Sequence, residues 1–289
     1  MAQKRTLSTV SARTYYDIPY GRADQMTITH NDVTRESFTA QAEAFAATPW
    51  IADSDRAAEL VSVAHVSGGE RVLDVATGPG YIAEAFARVC REVVGLDLTG
   101  AMLDIAKERT RARGISNVTF QQGDVSQLPF PAESFDILVC RLAVHHFAEP
   151  IAALAEMARV CRTGGAVVIE DIVMSEHKDR AAYHNGFDRL RDPSHVEAYP
   201  ISRLLGFLAN AGLEVESVNT STLTIDVEGW LKSAQTPPER ANEVRRMLDD
   251  DKERDLSGAM PFDDPVRGLC FRHRTATMRG RKLRRMSAA

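Results

Sequence analysis

The sequence predicts an α/β protein built on a doubly wound, mostly parallel β-sheet. Its core strands are predicted at residues 71–76, 92–97, 117–122, 134–140 and 165–173. Segments with the apolar spacing of helices are found at residues 80–89, 100–112, 149–161 and 202–211. Alternation of strand and helix is typical of a parallel sheet that is covered on both faces. Because the crossovers in such sheets are right-handed, the carboxyl ends of the parallel strands meet at one edge, where we expect the binding site.

The composition fits one large domain without a membrane segment. The chain has 289 residues, 44% of them hydrophobic, and no run approaches the ~18 apolar residues that a bilayer requires. The N-terminal region lacks the apolar core of a secretory signal, so we expect a cytoplasmic protein. The net charge of −5 gives no general attraction to nucleic acid. The four cysteines form no C-x-x-C pair, so no metal site and no disulfide framework are predicted.

The first core strand ends in a glycine turn, Gly78-Pro79-Gly80, that leads into a helix. Glycine has no Cβ, so a ligand can approach the backbone of such a turn closely. Asp97 follows about 20 residues later at the end of the next strand, where a carboxylate can accept hydrogen bonds from ribose hydroxyls. The alternative is that Asp97 caps the helix after Thr99. Ala83 stands where a third glycine is usual and Pro79 has no N–H, so the predicted nucleotide-type cradle suits a pyrophosphate poorly.

At these residues the chain resembles the class I S-adenosylmethionine-dependent methyltransferases, in particular the small-molecule group related to the quinone and natural-product enzymes (methyltransferase type 11). The matching motifs are Asp74 to Gly80, Asp97, Gly123-Asp124-Val125 and Arg159 to Gly165. The resemblance covers about residues 38–279. The chain departs from the usual pattern at Ala76, Thr77 and Thr163, and none of these changes removes a charged contact.

The resemblance implies a Rossmann-like sheet of seven strands, mostly parallel with the last strand antiparallel. Alternating apolar residues predict a long strand at 213–226, and the family pattern places the final strand at about 268–278. Two N-terminal helices are expected at 37–47 and 55–64. Two short helices are expected after the long strand, the second beginning at Pro237-Pro238-Glu239.

The domain organisation follows from these segments. Residues 31–279 are predicted to form the methyltransferase domain, preceded by an arm at 1–30 that is either unordered or crosses to a second subunit. An irregular polar segment at about 174–200 is expected to be a lid or a wall of the substrate pocket. A helical insert is expected at about 228–250, and residues 280–289 form a basic tail.

The resemblance also implies the cofactor, S-adenosyl-L-methionine, with S-adenosyl-L-homocysteine as the product. Its binding residues would be Asp74, Ala76, Thr77, Gly78, Gly80, Asp97, Leu98, Met102, Asp124, Val125 and Arg141. By the same resemblance, Asp74 would orient the ammonium group, Asp97 would accept from both ribose hydroxyls, and Asp124 would accept from the exocyclic amine of adenine. Leu98 and Met102 would pack on the adenine ring. Phe38 and Gln41, on the opening helix, would lie near the methionine end.

A general base is less clearly marked. His145 and His146 follow the fourth core strand, where histidine can accept a phenol or enol proton or can simply pack against the next helix. Adjacent residues point in different directions, so at most one of the pair is expected to face the substrate. His195, on the predicted lid, competes for the role, and Asp171 is a third candidate. Tyr183 and Tyr199 are predicted to line the substrate pocket.

The predicted function is methyl transfer to oxygen or carbon of a small, aromatic or polyketide-like acceptor. Two alternatives remain open at this point: a cofactor-binding, cyclase-like enzyme that does not methylate, and an RNA methyltransferase whose basic tail binds RNA. Nucleic acid is not the favoured partner, because no aromatic residues are interleaved with the basic ones after Phe271. Tyr15, Tyr16 and Tyr20 make a homodimer plausible through the N-terminal arm.

Overall fold

The computed structural model describes residues 28–284, which form nine strands and nine α-helices. The strands are β1 (Arg71–Val75), β2 (Glu92–Asp97), β3 (Val118–Gln122), β4 (Phe135–Arg141), β5 (Cys161–Met174), β6 (Tyr199–Pro200), β7 (Leu213–Asp226), β8 (Phe262–Asp264) and β9 (Gly268–Lys282). The helices are α1 (His30–Ala46), α2 (Ser54–Ala64), α3 (Tyr81–Ala87), α4 (Gly100–Ala112), α5 (Pro150–Val160), α6 (Lys178–Arg191), α7 (Ile201–Asn210), α8 (Val227–Ser233) and α9 (Pro238–Arg254).

Seven strands form the main sheet in the order β3-β2-β1-β4-β5-β9-β7. The pairs among β1 to β5 are parallel, whereas β9 runs antiparallel to both β5 and β7. The predicted mostly parallel sheet with a reversed last strand is therefore confirmed. Two short strands extend it, because β6 pairs with β5 and β8 pairs with β9.

The sheet is packed on both faces, as the alternation of side chains along β1 illustrates. Leu73 and Val75 point into a cluster that includes α5 and α7, whereas Val72 points into a second cluster with Leu60 of α2 and Phe86 of α3. Successive side chains of a strand face opposite sides, so one short apolar strand contributes to both layers. The carboxyl ends of β1 to β4 are left free of this packing and form the edge at which the site lies.

A third cluster lies beyond this doubly covered core. It joins Phe187 of α6, Trp230 of α8 and Phe271 of β9 with residues of β7 and α9. The predicted lid and the predicted helical insert therefore pack against each other and against the antiparallel end of the sheet. Together they wall one side of the region above the strand ends.

The irregular structure predicted for residues 174–200 is wrong, because α6 occupies 14 residues of it. Its buried face is formed largely by polar residues at helical spacing, His184, Asp188 and Arg191, with Phe187 among them. An apolar pattern is the usual sequence signal of a helix, and here it is absent. The second of the two helices predicted to be short is also longer than expected, since α9 has 17 residues.

Some predictions for the two ends of the chain fall outside the described residues. The tyrosines of the N-terminal arm lie outside the described residues, as do residues 285–289. The predicted tail begins later than expected, because β9 continues to Lys282. In the segment 28–284, none of the helices has the length and apolar character needed to span a bilayer.

Candidate active site

A cavity of about 990 Å³, including its open mouth, lies at the carboxyl ends of β1 to β4 under α1. Ten of the eleven residues predicted to bind the cofactor line it. They are Asp74, Ala76, Thr77, Gly78, Asp97, Leu98, Met102, Asp124, Val125 and Arg141. Residues from four separate strand ends therefore meet around one space, which we call the cofactor cavity.

Asp97 joins the glycine turn to the end of β2. Its Oδ2 accepts a hydrogen bond from the Gly78 N–H at 2.8 Å, and its Oδ1 accepts one from the Thr99 N–H at 2.8 Å. Burial raises the pKa of this carboxyl above its ordinary value. The carboxylate both lines the cavity and holds its floor together, so ligand binding and loop structure depend on the same side chain. The space where a Cβ of Gly78 would stand is open, as the approach of a ligand to the backbone requires.

Asp74 is the most deeply buried acid of the cavity, with 1% of its surface exposed. Its Oδ2 accepts a hydrogen bond from the Thr77 hydroxyl at 2.5 Å, and burial raises the pKa of the carboxyl to about 7. A cationic group bound beside it would favour the charged form and lower that pKa. Thr77, one of the departures from the family motif, therefore orients the acid that would meet the ammonium group of the cofactor.

Gly80 is the one predicted cofactor residue that does not line the cavity. It precedes α3 with a φ of +80°, and a Cβ built on it would lie 2.8 Å from the Cβ of Ala106 in α4. A side chain at this position would therefore separate α3 from α4. Gly80 supports the site through helix packing, whereas the sequence had suggested contact with the ligand.

This packing gives a stability prediction. Gly80→Ala should lower the free energy of unfolding by about 2–4 kcal/mol, because left-handed backbone and overpacking each destabilise. Gly114 is the matched control: its φ is +66° and a Cβ there meets nothing within 4 Å. Gly114→Ala should cost only about 1–2 kcal/mol, from backbone strain alone. Urea unfolding of both variants measures the difference, and equal losses would contradict the packing role.

The far walls of the cofactor cavity are tied to the N-terminal helices. Asn31 of α1 donates to Asp124 Oδ2 at 2.6 Å, and the same carboxylate accepts from the Ser126 N–H through Oδ1. The Arg141 guanidinium donates to the carbonyls of Trp50 and Ile51 at 2.8 and 3.0 Å. The side chains of Asp124 and Arg141 therefore also connect the segment before β1 to the sheet.

One face of α1 was largely missed as a site element. Asn31, Thr34, Phe38 and Phe45 all line the cofactor cavity, and only Phe38 was singled out from the sequence together with Gln41. Their spacing of three, four and seven residues places them on one side of a helix, which was the available signal. Gln41 is buried elsewhere, where its amide donates to Ser37 Oγ at 3.2 Å.

A second cavity of about 540 Å³ adjoins the first. The two share Phe38, Phe45, Leu142 and His146 as wall residues. The remaining wall of the second cavity comes from the turns after α1 and β4, from β5, from α6 and the loop that follows it, and from β7, α8 and β9. Its residues are Trp50, His145, Ile172, Asp188, Arg191, His195, Leu223, Ile225, Trp230 and His273. We call this space the acceptor cavity, because it is enclosed mainly by aromatic rings and titratable groups.

His145 and Asp171 form a hydrogen-bonded pair at the acceptor cavity. The Nδ1 of His145 lies 2.5 Å from Asp171 Oδ1, and the His145 backbone N–H donates to Asp171 Oδ2 at 3.1 Å. Because the carboxylate accepts a hydrogen bond from Nδ1, the proton lies on Nδ1 and Nε2 keeps its lone pair. Within residues 28–284, Nε2 has no hydrogen-bond partner. Burial opposes charge on the ring, but the Asp171 carboxylate outweighs it and raises the pKa of His145 above 6.5.

His146 and His195 also line the acceptor cavity, with different partners. His146 Nδ1 donates to the Ser194 carbonyl at 2.9 Å, and burial lowers the pKa of this ring to about 3. His195 Nε2 donates to Asn185 Oδ1 at 2.7 Å, and burial lowers its pKa well below the usual value. Among the described residues, no carboxylate lies within hydrogen-bonding distance of either ring, so both are weaker bases than His145.

The expectation that only one of His145 and His146 would face the substrate side is wrong. Both line the acceptor cavity, and their ring centroids are 4.2 Å apart. They belong to a 3-10 turn, Val144–His146, in which consecutive side chains diverge less than in a strand. The rule of opposite directions applies to extended backbone, and the chain has left β4 by this point.

Neither predicted substrate tyrosine lines either of these two cavities. The Tyr183 hydroxyl donates to the Met247 carbonyl of α9 at 2.9 Å, and the ring packs in the third cluster. Tyr199 lies in the main core with its ring 5.0 Å from that of Phe207. Both rings hold elements together, so the aromatic walls of the acceptor cavity come from phenylalanine and tryptophan instead.

The fold and the cofactor cavity are those expected of a methyltransferase, and comparisons with known proteins show that class. A model of the methyltransferase domain family matches residues 73–169. The uncharacterized methyltransferase YcgJ of Bacillus subtilis (strain 168) is 32% identical over 207 residues, which are 72% of this chain and 82% of that protein. The crystal structure of the YcgJ protein superposes with a TM-score of 0.75 at 30% identity and covers 80% of this chain and 100% of its own.

More distant relatives share only part of the chain. A demethylmenaquinone methyltransferase of Deinococcus radiodurans is 41% identical over 116 residues, which cover 39% of this chain and 47% of that protein. The YcgJ match extends over most of both chains. The protein belongs to the class I S-adenosylmethionine-dependent methyltransferases.

Proposed function

We propose that the protein transfers a methyl group from S-adenosylmethionine to oxygen or carbon of a small, aromatic or polyketide-like acceptor. The observation that carries this proposal is the pairing of the cofactor cavity with an acceptor cavity whose walls include Phe38, Phe45, Trp50 and Trp230. Planar apolar molecules pack well against such rings. The His145–Asp171 pair reaches the same space, where it can accept a proton from a phenol or an enol.

The residues of the cofactor cavity fit S-adenosylmethionine. Asp74 is a buried acid whose charged form a cationic ammonium group would stabilise, and Asp97 and Asp124, which line the same cavity, would accept from ribose and adenine. The open side of Gly78 leaves room for the ligand at the backbone. When bound, the cofactor supplies an electrophilic methyl group on a sulfonium, which leaves as the neutral thioether S-adenosylhomocysteine.

The chain itself would orient the acceptor and remove its proton. Nε2 of His145 accepts the hydroxyl proton, and the Asp171 carboxylate stabilises the imidazolium that forms. His146 lies at the boundary of the two cavities and positions the acceptor without titrating. Both His145 and Asp171 are buried, which strengthens the interaction between them.

Several basic side chains near the C-terminal end already have acidic partners, which supports a small acceptor over RNA. Arg279 pairs with Glu216, and Arg281 pairs with Glu216 and with Glu214 across β7 and β9. Charges that are paired within a sheet attract a phosphate backbone less than free ones do. We therefore expect no nucleic acid partner.

The first test is calorimetric titration of the protein with S-adenosylmethionine and with S-adenosylhomocysteine. We expect micromolar binding of both, followed by a screen of phenols and enolisable carbonyl compounds in which mass spectrometry detects the addition of one CH₂ and the formation of S-adenosylhomocysteine. Failure of the folded protein to bind either ligand would contradict the proposal. Conversion of an acceptor with no S-adenosylhomocysteine formed would instead indicate the cyclase-like alternative.

The pH dependence of kcat gives a separate prediction. The base must be neutral to accept a proton, and the pKa of His145 is raised above 6.5. With cofactor and acceptor saturating, kcat should therefore be constant at high pH and should fall about tenfold per unit below an apparent pKa above 6.5. Asp171→Asn removes the carboxylate that raises this pKa, so its inflection should move to lower pH. An unchanged inflection would contradict the assigned pair.

A further inference from the structure

Three metal-ligating side chains meet at the far side of the acceptor cavity, away from the cofactor cavity. His184 and Asp188 lie four residues apart on α6, and His273 lies on β9. The distance from His184 Nε2 to Asp188 Oδ2 is 3.9 Å, and the distance from His273 Nε2 to Asp188 Oδ1 is also 3.9 Å. One donor atom from each of the three lies within 4.8 Å of the other two. We call this group the HDH cluster.

The HDH cluster is buried, and its polar atoms are unsatisfied. Exposure is 4% for His184, 3% for Asp188 and 5% for His273. Both oxygens of Asp188, Nε2 of His184 and Nδ1 of His273 have no hydrogen-bond partner in the part of the chain that the structure describes. Separations of 3.9 Å are too long for hydrogen bonds among the three residues themselves. Unpaired buried polar groups are rare, so the Asp188 carboxylate and His184 Nε2, which lie 3.9 Å apart beside His273 Nε2, indicate a common partner.

The surrounding aromatic residues hold the two imidazoles in place. The rings of His184 and His273 are stacked, with centroids 5.1 Å apart and planes inclined by 19°. Phe187 lies 4.5 Å from the His184 ring, and Phe271 lies 4.8 Å from the His273 ring. Buried ring packing fixes the direction of the nitrogen lone pairs, which is the preorganisation that a metal site needs. The guanidinium of Arg191, which is on the same helix as His184 and Asp188, is already engaged, because it donates to the Trp230 carbonyl at 3.1 Å.

We propose that His184, Asp188 and His273 bind a divalent transition-metal ion, with an open coordination position towards the acceptor cavity. Two imidazole nitrogens and one carboxylate suit Zn²⁺, Fe²⁺ or Co²⁺, and three protein ligands leave a position for an exogenous oxygen. Bonds of about 2.0–2.2 Å place tetrahedral ligands roughly 3.3–3.5 Å apart, so the two 3.9 Å separations need to close by about half an ångström and the third by at most about 1.5 Å. Asp188 and His273 both line the acceptor cavity, which provides the route for entry.

The charges of the HDH cluster suit a cation. Two neutral imidazoles each offer a nitrogen lone pair, and the carboxylate of Asp188 supplies the negative charge that a bound cation requires. His145 also faces this end of the cavity, and its hydrogen bond to Asp171 keeps its Nδ1 from joining the cluster.

The ion would bind an oxygen of the acceptor and favour its deprotonated form. This role rests on the proposed function, whereas the metal site itself does not. A hydroxyl or enol oxygen at the open position would lose its proton more easily, and the proton would pass to Nε2 of His145 on the same cavity wall. The metal and the histidine would then divide the task, one stabilising the oxyanion and the other receiving the proton.

Titration of the chelator-treated full chain with Co²⁺ tests the site directly. We expect one equivalent to bind, with visible absorption bands typical of a four- or five-coordinate ion, and Zn²⁺ should displace it. Asp188→Asn and His273→Gln should each weaken Co²⁺ binding at least ~100-fold, since even second-shell changes cost 10–100-fold. His195→Gln is the matched control, because it removes another buried histidine of the acceptor cavity and should leave Co²⁺ binding unchanged.

Several outcomes would overturn the metal site. These are failure of the folded wild-type protein to bind Co²⁺ stoichiometrically at pH 7.5, and equal affinity in a folded Asp188→Asn variant. If the variants do not fold, X-ray absorption of the wild-type Co²⁺ complex decides: two imidazoles with oxygen ligands support the site, and thiolate ligation rejects it. Titration of the same samples with S-adenosylmethionine keeps the two proposals distinct, because cofactor binding without Co²⁺ binding rejects only the metal site.

Discussion

Replacing His145 with glutamine is expected to lower kcat by roughly 10²–10⁴-fold, the range that removal of a general base produces. Glutamine is close to histidine in size and can still donate to Asp171, which accepts from His145 Nδ1 at 2.5 Å, but it cannot take up a proton. The loss should therefore fall on the chemical step. Steady-state kinetics with the acceptor identified by mass spectrometry provides the measurement, and calorimetry should show unchanged affinity for S-adenosylmethionine.

Comparison with other histidines makes this result specific. His177 is exposed at the start of α6, so His177→Gln should leave turnover unchanged. His146→Gln and His195→Gln alter rings whose pKa values are lowered by burial, and we expect a smaller loss of kcat from each. If His195→Gln abolishes turnover while His145→Gln does not, the base has been assigned to the wrong ring.

Asp97→Asn should weaken the binding of S-adenosylmethionine by about 5- to 150-fold, which corresponds to roughly 1–3 kcal/mol for a lost charged hydrogen bond. The asparagine keeps one oxygen, which can accept from either the Gly78 N–H or the Thr99 N–H, while its amide nitrogen cannot accept from the other. Part of the loss will therefore come from a looser glycine turn. Calorimetric titration of the variant with cofactor and product measures it.

The control for this substitution is Asp104→Asn on the exposed side of α4. It removes the same charge, and with it an ion pair to Lys107, but lies outside the cofactor cavity, so affinity should not change. Thermal unfolding of both variants separates binding from stability. Unchanged cofactor affinity in a folded Asp97→Asn variant would show that this carboxylate serves the loop alone.

Local patterns were sufficient for the core of the fold. Strands β1, β2 and β4 are short apolar segments next to turn residues, and the long β7 shows the alternation of a sheet that is covered on one side. The predicted bounds of these strands differ from the observed ones by a residue at most. Helix α6 was missed because His184, Asp188 and Arg191 occupy the positions at which a buried helix normally has apolar residues.

The acceptor cavity depends on contacts between distant segments, which local sequence patterns do not predict. His145 lies in the turn after β4 and Asp171 lies within β5, and only the pairing of β4 with β5 brings them together. Tyr183 and Tyr199 are of a residue type that often lines pockets, but their rings pack into core clusters. The direction of each ring depends on the helix or strand that carries it. The HDH cluster has a helical spacing within α6, yet its third member comes from β9, far along the chain.

The sequence by itself determined the alternation of core strands and helices, and its resemblance to a known family implied the class of protein and ten of the residues that line the cofactor cavity. The alternation follows from periodicity, and the resemblance rests on motifs at the glycine turn and at the ends of the strands, all of which are features of a few neighbouring residues. The tertiary structure alone decided the acceptor cavity, the His145–Asp171 pair and the HDH cluster. Each depends on contacts between segments distant in sequence, whose meeting is set by how the helices of the lid and the insert pack against the antiparallel end of the sheet.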